Sequence, residues 1–177
     1  MTFAPGKIIL TGEHSVVFGK PAIALAIDRG IHTTALQIEG SSCCTSPLVD
    51  DQFWKAIRTI VPEYGFEISF TSSLPIGKGM GSSAALSVSL CREMARIQAL
   101  PLPFDRLLEQ AMKMETVFHG RPSGLDHTVS ALGKAIWFQK NNNDPSWRTL
   151  EFPSLDILIV DSGTIGSTAA MVAKVAQ

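Results

Sequence analysis

The sequence predicts an α/β fold in which a sheet and a layer of helices pack against each other. Short apolar runs bounded by glycine or proline fill the first 70 residues, and strand-like runs return after residue 134. Two long helical patterns, over residues 83–99 and 104–119, lie between them. The 177 residues are 45% hydrophobic and 18% charged, so they can bury one substantial core.

Composition limits the classes of function. The net charge of −1 and the scattered Lys and Arg residues favour neither nucleic acid nor a membrane surface as a partner. Three cysteines, an odd number, do not describe a disulfide framework, and the four histidines lack the spacing of metal ligands. No apolar run approaches the roughly 20 residues of a membrane helix, and no signal-peptide pattern is present. We therefore expect a soluble protein of the cytoplasm.

Apolar runs separated by turn residues locate the strands. The early runs predict an antiparallel beginning to the sheet, and the polar stretch 40–50 predicts a surface loop. An Asn-rich turn at 141–145 separates the last two strands, and a further helix begins near Ser167. The predicted strands cover residues 4–10, 21–27, 32–38, 66–70, 135–139 and 155–161.

Helical periodicity places a carboxylate where a buried side chain is expected. Residues 50–61 form a helix with Asp50 or Asp51 as its cap, and residues 83–99 are apolar on two stripes, which indicates a central helix. In the next helix, Glu115 falls in the middle of the apolar arc. An unpaired buried charge costs several kcal/mol, so Glu115 needs a cation, a metal or a hydrogen-bond donor. A plain buried pair with Lys or Arg is the alternative.

A glycine-rich loop at residues 75–85 precedes the central helix and resembles a phosphate cradle. Alternating glycines allow positive φ and let backbone N–H groups approach an anion at the positive end of the helix dipole. The serines can cap the helix or offer a hydroxyl to a metal. An ordinary turn before a capped helix is the alternative, and neither the P-loop nor the dinucleotide spacing fits. The candidate phosphate-binding residues are Pro75, Gly77, Lys78, Gly79, Met80, Gly81, Ser82 and Ser83.

A second carboxylate follows the helical region. Ser123 and Asp126 have the spacing of a capping box, which predicts a short helix that ends near Gly133. A carboxylate in the first helical turn is kept ionised by the helix dipole, so Asp126 can accept a hydrogen bond from a substrate hydroxyl. The plain alternative is a helix start with no further role.

Three ordered motifs together resemble the GHMP small-molecule kinases and, within that family, the mevalonate kinase branch. The first is Ala-Pro-Gly-Lys-Ile-Ile-Leu from residue 4, followed by Gly-Glu-His from residue 12 and Val-Phe-Gly-Lys from residue 17. The second is the loop at 75–85, with Met80 where leucine is more usual. The third is Glu115 with His-Gly-Arg-Pro-Ser-Gly-Leu-Asp from residue 119.

The resemblance implies a fold and an activity. The fold is a mixed sheet with helices on one side, similar to domain 2 of ribosomal protein S5. The activity is ATP-dependent phosphorylation of a small-molecule alcohol, mevalonate, with Mg²⁺ as cofactor. The loop would hold the phosphates of ATP, and Ser83 and Glu115 would ligate Mg²⁺. Asp126 would take the proton of the hydroxyl and Lys7 would favour the alkoxide.

Further residues are assigned to the substrate by the resemblance. Glu13 is expected to pair with Lys7, and His14 and Ser123 are expected to contact the substrate. A galactokinase-like enzyme or a phosphomevalonate kinase is the alternative within the family.

The resemblance covers only part of such a kinase. The family has a third glycine-rich motif in a C-terminal domain, and we expect residues 1–177 to form the ATP-binding domain, with the start of the second domain near 155–177. A nucleotide-binding fragment that is inactive without its C-terminal half is therefore a rival interpretation. An exposed apolar surface at the missing domain would favour a homodimer.

Overall fold

In a computed structural model, residues 1–46, 50–75, 77–141, 144–151 and 156–160 are described. Within these ranges, a six-stranded sheet packs against four α-helices, as expected for an α/β fold. The strands are β1 (Thr2–Thr11), β2 (Pro21–Ser41), β3 (Cys43–Cys44), β4 (Tyr64–Ser72), β5 (Ile136–Asn141) and β6 (Asp144–Thr149). The helices are α1 (Asp51–Ile57), α2 (Ser82–Ile97), α3 (Phe104–His119) and α4 (Leu125–Leu132), and a 3₁₀ turn covers His14–Phe18.

The sheet is built around β2, which pairs antiparallel with β1, β4 and β5. β6 pairs antiparallel with β5, whereas β3 pairs parallel with β4, so the sheet is mixed as expected. The predicted strands 21–27 and 32–38 are one strand of 21 residues, and the predicted break between them is wrong. Pro5 pairs with Gly30 and Lys7 with Ala26, so the intervening turn residues form an irregularity inside the strand rather than a turn.

Two predictions about loops and strands are wrong, because the pattern of apolar residues does not follow the strands there. The predicted loop 40–50 contains β3, and residues 156–160 form no strand, although 155–161 was predicted as one. The strand that returns beside β5 is instead the polar β6, whose sequence starts inside the predicted turn 141–145. An edge strand needs little apolar surface, so periodicity does not reveal it. Residues 155 and 161 and the helix predicted near Ser167 lie outside the described residues.

α2 is the central helix, as predicted. It contacts β1 and β2 on the sheet and also α3 and α4, and nearly every side of its first three turns is buried. Asp50 caps α1 by accepting a hydrogen bond from the backbone N–H of Phe53 at 2.7 Å, which confirms the predicted cap. Among the described residues, no helix combines the length and apolar character needed to cross a membrane.

Side chains of α2 and α4 donate hydrogen bonds to the outer edge of β1. The hydroxyl of Ser130 on α4 donates to the carbonyl of Pro5 at 2.7 Å. The guanidinium of Arg92 on α2 donates to the carbonyls of Phe3 and Ala131, at 3.1 and 2.7 Å. Because buried backbone groups need partners, these bonds fix α4 in register with β1. Lys7, in the middle of β1, lies beside the first turn of α4, where it meets Asp126.

Candidate active site

A cavity of about 840 Å³ opens where β1, the glycine-rich loop, the start of α2, the end of α3 and the start of α4 meet. It brings together eleven of the fourteen candidate site residues, which come from five separate parts of the chain. They are Lys7, Glu13, His14, Gly77, Gly79, Gly81, Ser82, Ser83, Glu115, Ser123 and Asp126. The three that do not line it are Pro75, Lys78 and Met80.

The glycine-rich loop has the backbone conformation that its sequence predicts. Gly77, Gly79 and Gly81 have φ values of 73°, 77° and 70°, a region that other residues rarely adopt. At Gly77 and Gly79 a Cβ atom would meet nothing within 4 Å, so the loop backbone is open on that side. Backbone N–H groups in such a loop, next to a helix N-terminus, form an anion-binding concavity.

The loop also packs closely against β1, and two glycines make this approach possible. The N–H of Lys7 donates to the carbonyl of Met80 at 3.0 Å. A Cβ on Gly6 would lie 2.7 Å from that carbonyl oxygen, and a Cβ on Gly81 would lie 2.8 Å from Cγ of Lys7. Met80 therefore acts through its backbone, and Gly6 is a site residue that the sequence pattern did not single out.

Lys7 and Asp126 form an ion pair within the cavity. Nζ of Lys7 lies 3.3 Å from Oδ2 of Asp126, and Lys7 is only 4% exposed. The predicted pair between Lys7 and Glu13 does not form, because among the described residues the carboxylate that pairs with the ammonium is that of Asp126. A lysine this deeply buried needs a carboxylate beside it, and Asp126 meets that need.

The caps at both helix starts differ from the prediction. α2 begins at Ser82 after Gly81, and α4 begins at Leu125 after Gly124, with no side-chain cap at either position. Ser123 accepts a hydrogen bond from the N–H of Leu125 at 3.2 Å, so it does not form the predicted capping box with Asp126. The N-cap of each helix is a glycine in the left-handed conformation, so no side chain is present there to cap the helix. The hydroxyl of Ser83 is therefore available for other hydrogen bonds.

Glu115 is buried, as its position on α3 predicts, but it has no cationic Lys or Arg partner among the described residues. It is 1% exposed and accepts hydrogen bonds from the hydroxyls of Ser83 at 3.3 Å and Ser87 at 3.2 Å. Burial, and then the charge of Asp126, raise the pKa of Glu115 from 4.5 to about 7. A cation bound beside the buried carboxylate of Glu115 would therefore be strongly stabilised.

Other residues around the cavity were not singled out by sequence reasoning. Ser87 lies one helical turn after Ser83, so helical spacing could have revealed it. Nε2 of His119 lies 3.0 Å from Oγ of Ser83, a contact between two helices that no local pattern shows. Arg121 and Lys140 also line the cavity, and Nζ of Lys140 donates to the carbonyl of Pro122 at 3.3 Å.

Comparison with known proteins shows what this chain is similar to. Residues 51–134 match the family model described as the GHMP kinases N terminal domain. Over this segment the chain is similar to that domain. It is 36% identical to a mevalonate kinase of Thermococcus sibiricus over 97% of this chain and 60% of that relative. The chain thus spans about 60% of the length of the curated mevalonate kinases that it matches.

Solved structures of the family share the fold. The mevalonate kinase of methicillin-resistant Staphylococcus aureus MRSA252 is 33% identical, with a TM-score of 0.65 over 88% of this chain and 56% of that one. The mevalonate kinase of L. major in complex with R-mevalonate is 24% identical, with a TM-score of 0.83 over 99% of this chain and 60% of that one. At that lower identity the likeness supports the GHMP fold alone.

The contact between the loop and β1 predicts a difference between two glycine substitutions. Gly79→Ala and Gly81→Ala both place a side chain at positive φ, which costs about 1–2 kcal/mol. Only Gly81→Ala also pushes on the stem of Lys7. We expect Gly81→Ala to lower the free energy of unfolding by at least about 1 kcal/mol more than Gly79→Ala, measured by urea denaturation. Equal losses would contradict the close packing of Lys7.

The raised pKa of Glu115 predicts a pH dependence of stability. Between pH 4.5 and about 7 the folded protein holds a proton that the unfolded chain releases, so this contribution to stability is lost as pH rises. In metal-free buffer, Glu115→Gln should therefore gain stability relative to the parent across this range, by about 3 kcal/mol. Titrations of histidines that do not contact residue 115 are common to both proteins and cancel in the difference; His119, 3.8 Å from Oε2 of Glu115, is the exception.

The matched control is Glu109→Gln, an exposed carboxylate on the same helix paired with Lys113 at 3.0 Å. Its difference from the parent should stay flat above pH 4.5. If the stability difference for Glu115→Gln is also flat above pH 4.5, that result would contradict the burial of Glu115 without a cationic partner.

Proposed function

We propose that the chain is the catalytic N-terminal part of an enzyme that transfers the γ-phosphoryl group of ATP to the 5-hydroxyl of mevalonate, giving 5-phosphomevalonate in isoprenoid biosynthesis in the cytoplasm. The observation that carries this proposal is the pair formed by Lys7 and Asp126, in one cavity with the glycine-rich loop and Glu115. The relatives named mevalonate kinase support the choice of substrate.

The donor side would be formed by the loop and the start of α2. The open backbone at Gly77 and Gly79 is suited to phosphate oxygens, and Ser82 and Ser83 stand at the positive end of α2. Lys78 belongs to the same loop, but it does not line the cavity. We assign it no separate role.

Ser83 and Glu115 fit a magnesium ion. Their oxygens lie 3.3 Å apart, close to the roughly 3 Å between neighbouring ligands of an octahedral Mg²⁺ ion, and both are the hard oxygen donors that Mg²⁺ prefers. The described residues contain no cluster of three His, Cys, Asp or Glu side chains, so phosphate oxygens would complete the shell. When bound, Mg²⁺ would neutralise phosphate charge and lower the barrier to transfer.

The acceptor side would be formed by the start of α4. Asp126, about one-third exposed, is the group that can reach a substrate hydroxyl and accept its proton. The buried ammonium of Lys7 stabilises the developing negative charge on that oxygen without moving, since it is already held by β1. Glu13, His14 and Ser123 line the same region and would orient the rest of the acceptor.

The charges on the acceptor side favour an acidic substrate. Arg121 and Lys140 both line the cavity, which suits the carboxylate of mevalonate better than a neutral sugar. A galactokinase-like acceptor would offer these two cations no negative charge of its own. A phosphomevalonate acceptor would call for more of them, and Lys20, which lies near in sequence, does not line the cavity.

A fragment inactive without its C-terminal half is the rival from another class. The relatives extend well beyond the matched region, and this supports a closing contribution from a second domain. Homodimerisation of this chain stays a prediction, supported by the exposure of Leu158 at 89% and Val160 at 77%.

The two carboxylates should have separable effects on binding and chemistry. Glu115→Gln should weaken Mg²⁺-ATP binding about tenfold or more, because the ion loses a charged ligand. Asp126→Asn should change this affinity less than about threefold yet lower turnover at least a hundredfold, because it removes only the proton acceptor. Calorimetric titration with Mg²⁺-ATP and an ADP-release assay measure the two effects. An equal loss of affinity in both variants would contradict the division of roles.

A further inference from the structure

A third side chain stands beside Ser83 and Glu115. His119 follows Glu115 by one turn of α3, so both side chains project from the same face of that helix. Nε2 of His119 lies 3.0 Å from Oγ of Ser83 and 3.8 Å from Oε2 of Glu115. With the 3.3 Å between the two oxygens, the three atoms form a triangle whose longest side joins His119 and Glu115.

Two sides of this triangle match one face of an octahedral coordination shell, and a small turn of the exposed His119 ring would shorten the third. Three ligands on one face of a divalent ion of this size lie about 3 Å from each other. We infer that His119 is the third protein ligand of the divalent metal ion, with Ser83 and Glu115 on the same face. This inference rests on the proposed function, because it concerns the metal that the phosphotransfer requires.

The state of His119 suits this role. Metal ligation needs a neutral imidazole whose Nε2 lone pair is available, and a bound cation favours the neutral ring because it repels a second positive charge. The side chain is 52% exposed and lines the cavity, so it can turn its Nε2 from Ser83 to an ion without unpacking the helix. The cavity lies in front of the triangle and leaves room for phosphate oxygens and water.

An imidazole ligand changes the chemical class of ion that the site accepts. Mg²⁺ prefers an all-oxygen shell, whereas Mn²⁺ and Co²⁺ accept nitrogen as well as oxygen. The structure therefore assigns this site to transition-metal ions as well as to Mg²⁺. The spacing of histidines in the sequence gives no sign of this, because the ligands come from the start of one helix and the end of another.

The direct test is the detection of nitrogen bound to the metal. Mn²⁺ is added to the full chain with inorganic tripolyphosphate, a phosphate ligand without nitrogen, and electron spin-echo envelope modulation records ¹⁴N coupling. We expect strong ¹⁴N modulation in the parent and its loss in His119→Gln, with Mn²⁺ affinity lowered about tenfold and Mg²⁺ affinity changed less than about threefold. His14→Gln, at another histidine that lines the cavity, is the matched control and should keep the modulation.

The outcomes separate this inference from the proposed function. In one outcome, Mn²⁺ binds the parent but not Glu115→Gln, and the bound ion shows no ¹⁴N modulation. This outcome would overturn the role of His119 and leave the proposed metal site intact. Modulation that persists in His119→Gln would also overturn it. Mn²⁺ binding that does not depend on Glu115 would overturn both the metal site and the role of His119.

Discussion

The arrangement of the site depends on one close approach, that of β1 to the glycine-rich loop. The backbone of Lys7 bonds to the carbonyl of Met80, and glycine at positions 6 and 81 leaves room for the contact. This contact helps to bury the stem of the lysine, and the ammonium at its end pairs with Asp126. The loop that would hold the phosphates and the pair that would handle the hydroxyl are thus fixed relative to each other by one packing constraint.

The electrostatic balance of the cavity follows from the same geometry. Two carboxylates, Glu115 and Asp126, share the buried neighbourhood of one lysine, and Lys7 pairs with only one of them. The other carboxylate, Glu115, is the buried one, and burial together with the charge of Asp126 raises its pKa to about 7. In the absence of a cation the site takes up a proton, and a divalent ion would replace that proton. Ion binding and the acid–base state of the site are therefore linked.

Sequence reasoning located most of this site because its chemistry is local. The positive φ values of the loop, the burial of Glu115 and the position of Asp126 in a first helical turn follow from residue type and helical spacing. The core helices were predicted for the same reason, since α2 and α3 have strong 3.6-residue periodicity.

The features that were missed depend on contacts between distant segments. The partner of Lys7, the contact of His119 with Ser83 and the close approach at Gly6 join residues 30 to 120 positions apart. Sequence reasoning missed the irregularity within β2 and the polar edge strand β6 for a related reason. Pairing with a neighbouring strand, rather than the local pattern, decides both.

The central claim is that this cavity phosphorylates mevalonate. The most direct test is release of ADP from Mg²⁺-ATP by the purified chain with mevalonate, phosphomevalonate, homoserine or galactose as acceptor. The account predicts stimulation by mevalonate alone. Stimulation by one of the other acceptors in place of mevalonate would contradict the assigned substrate, and silence with all four in a protein that still binds Mg²⁺-ATP would contradict catalysis by this chain.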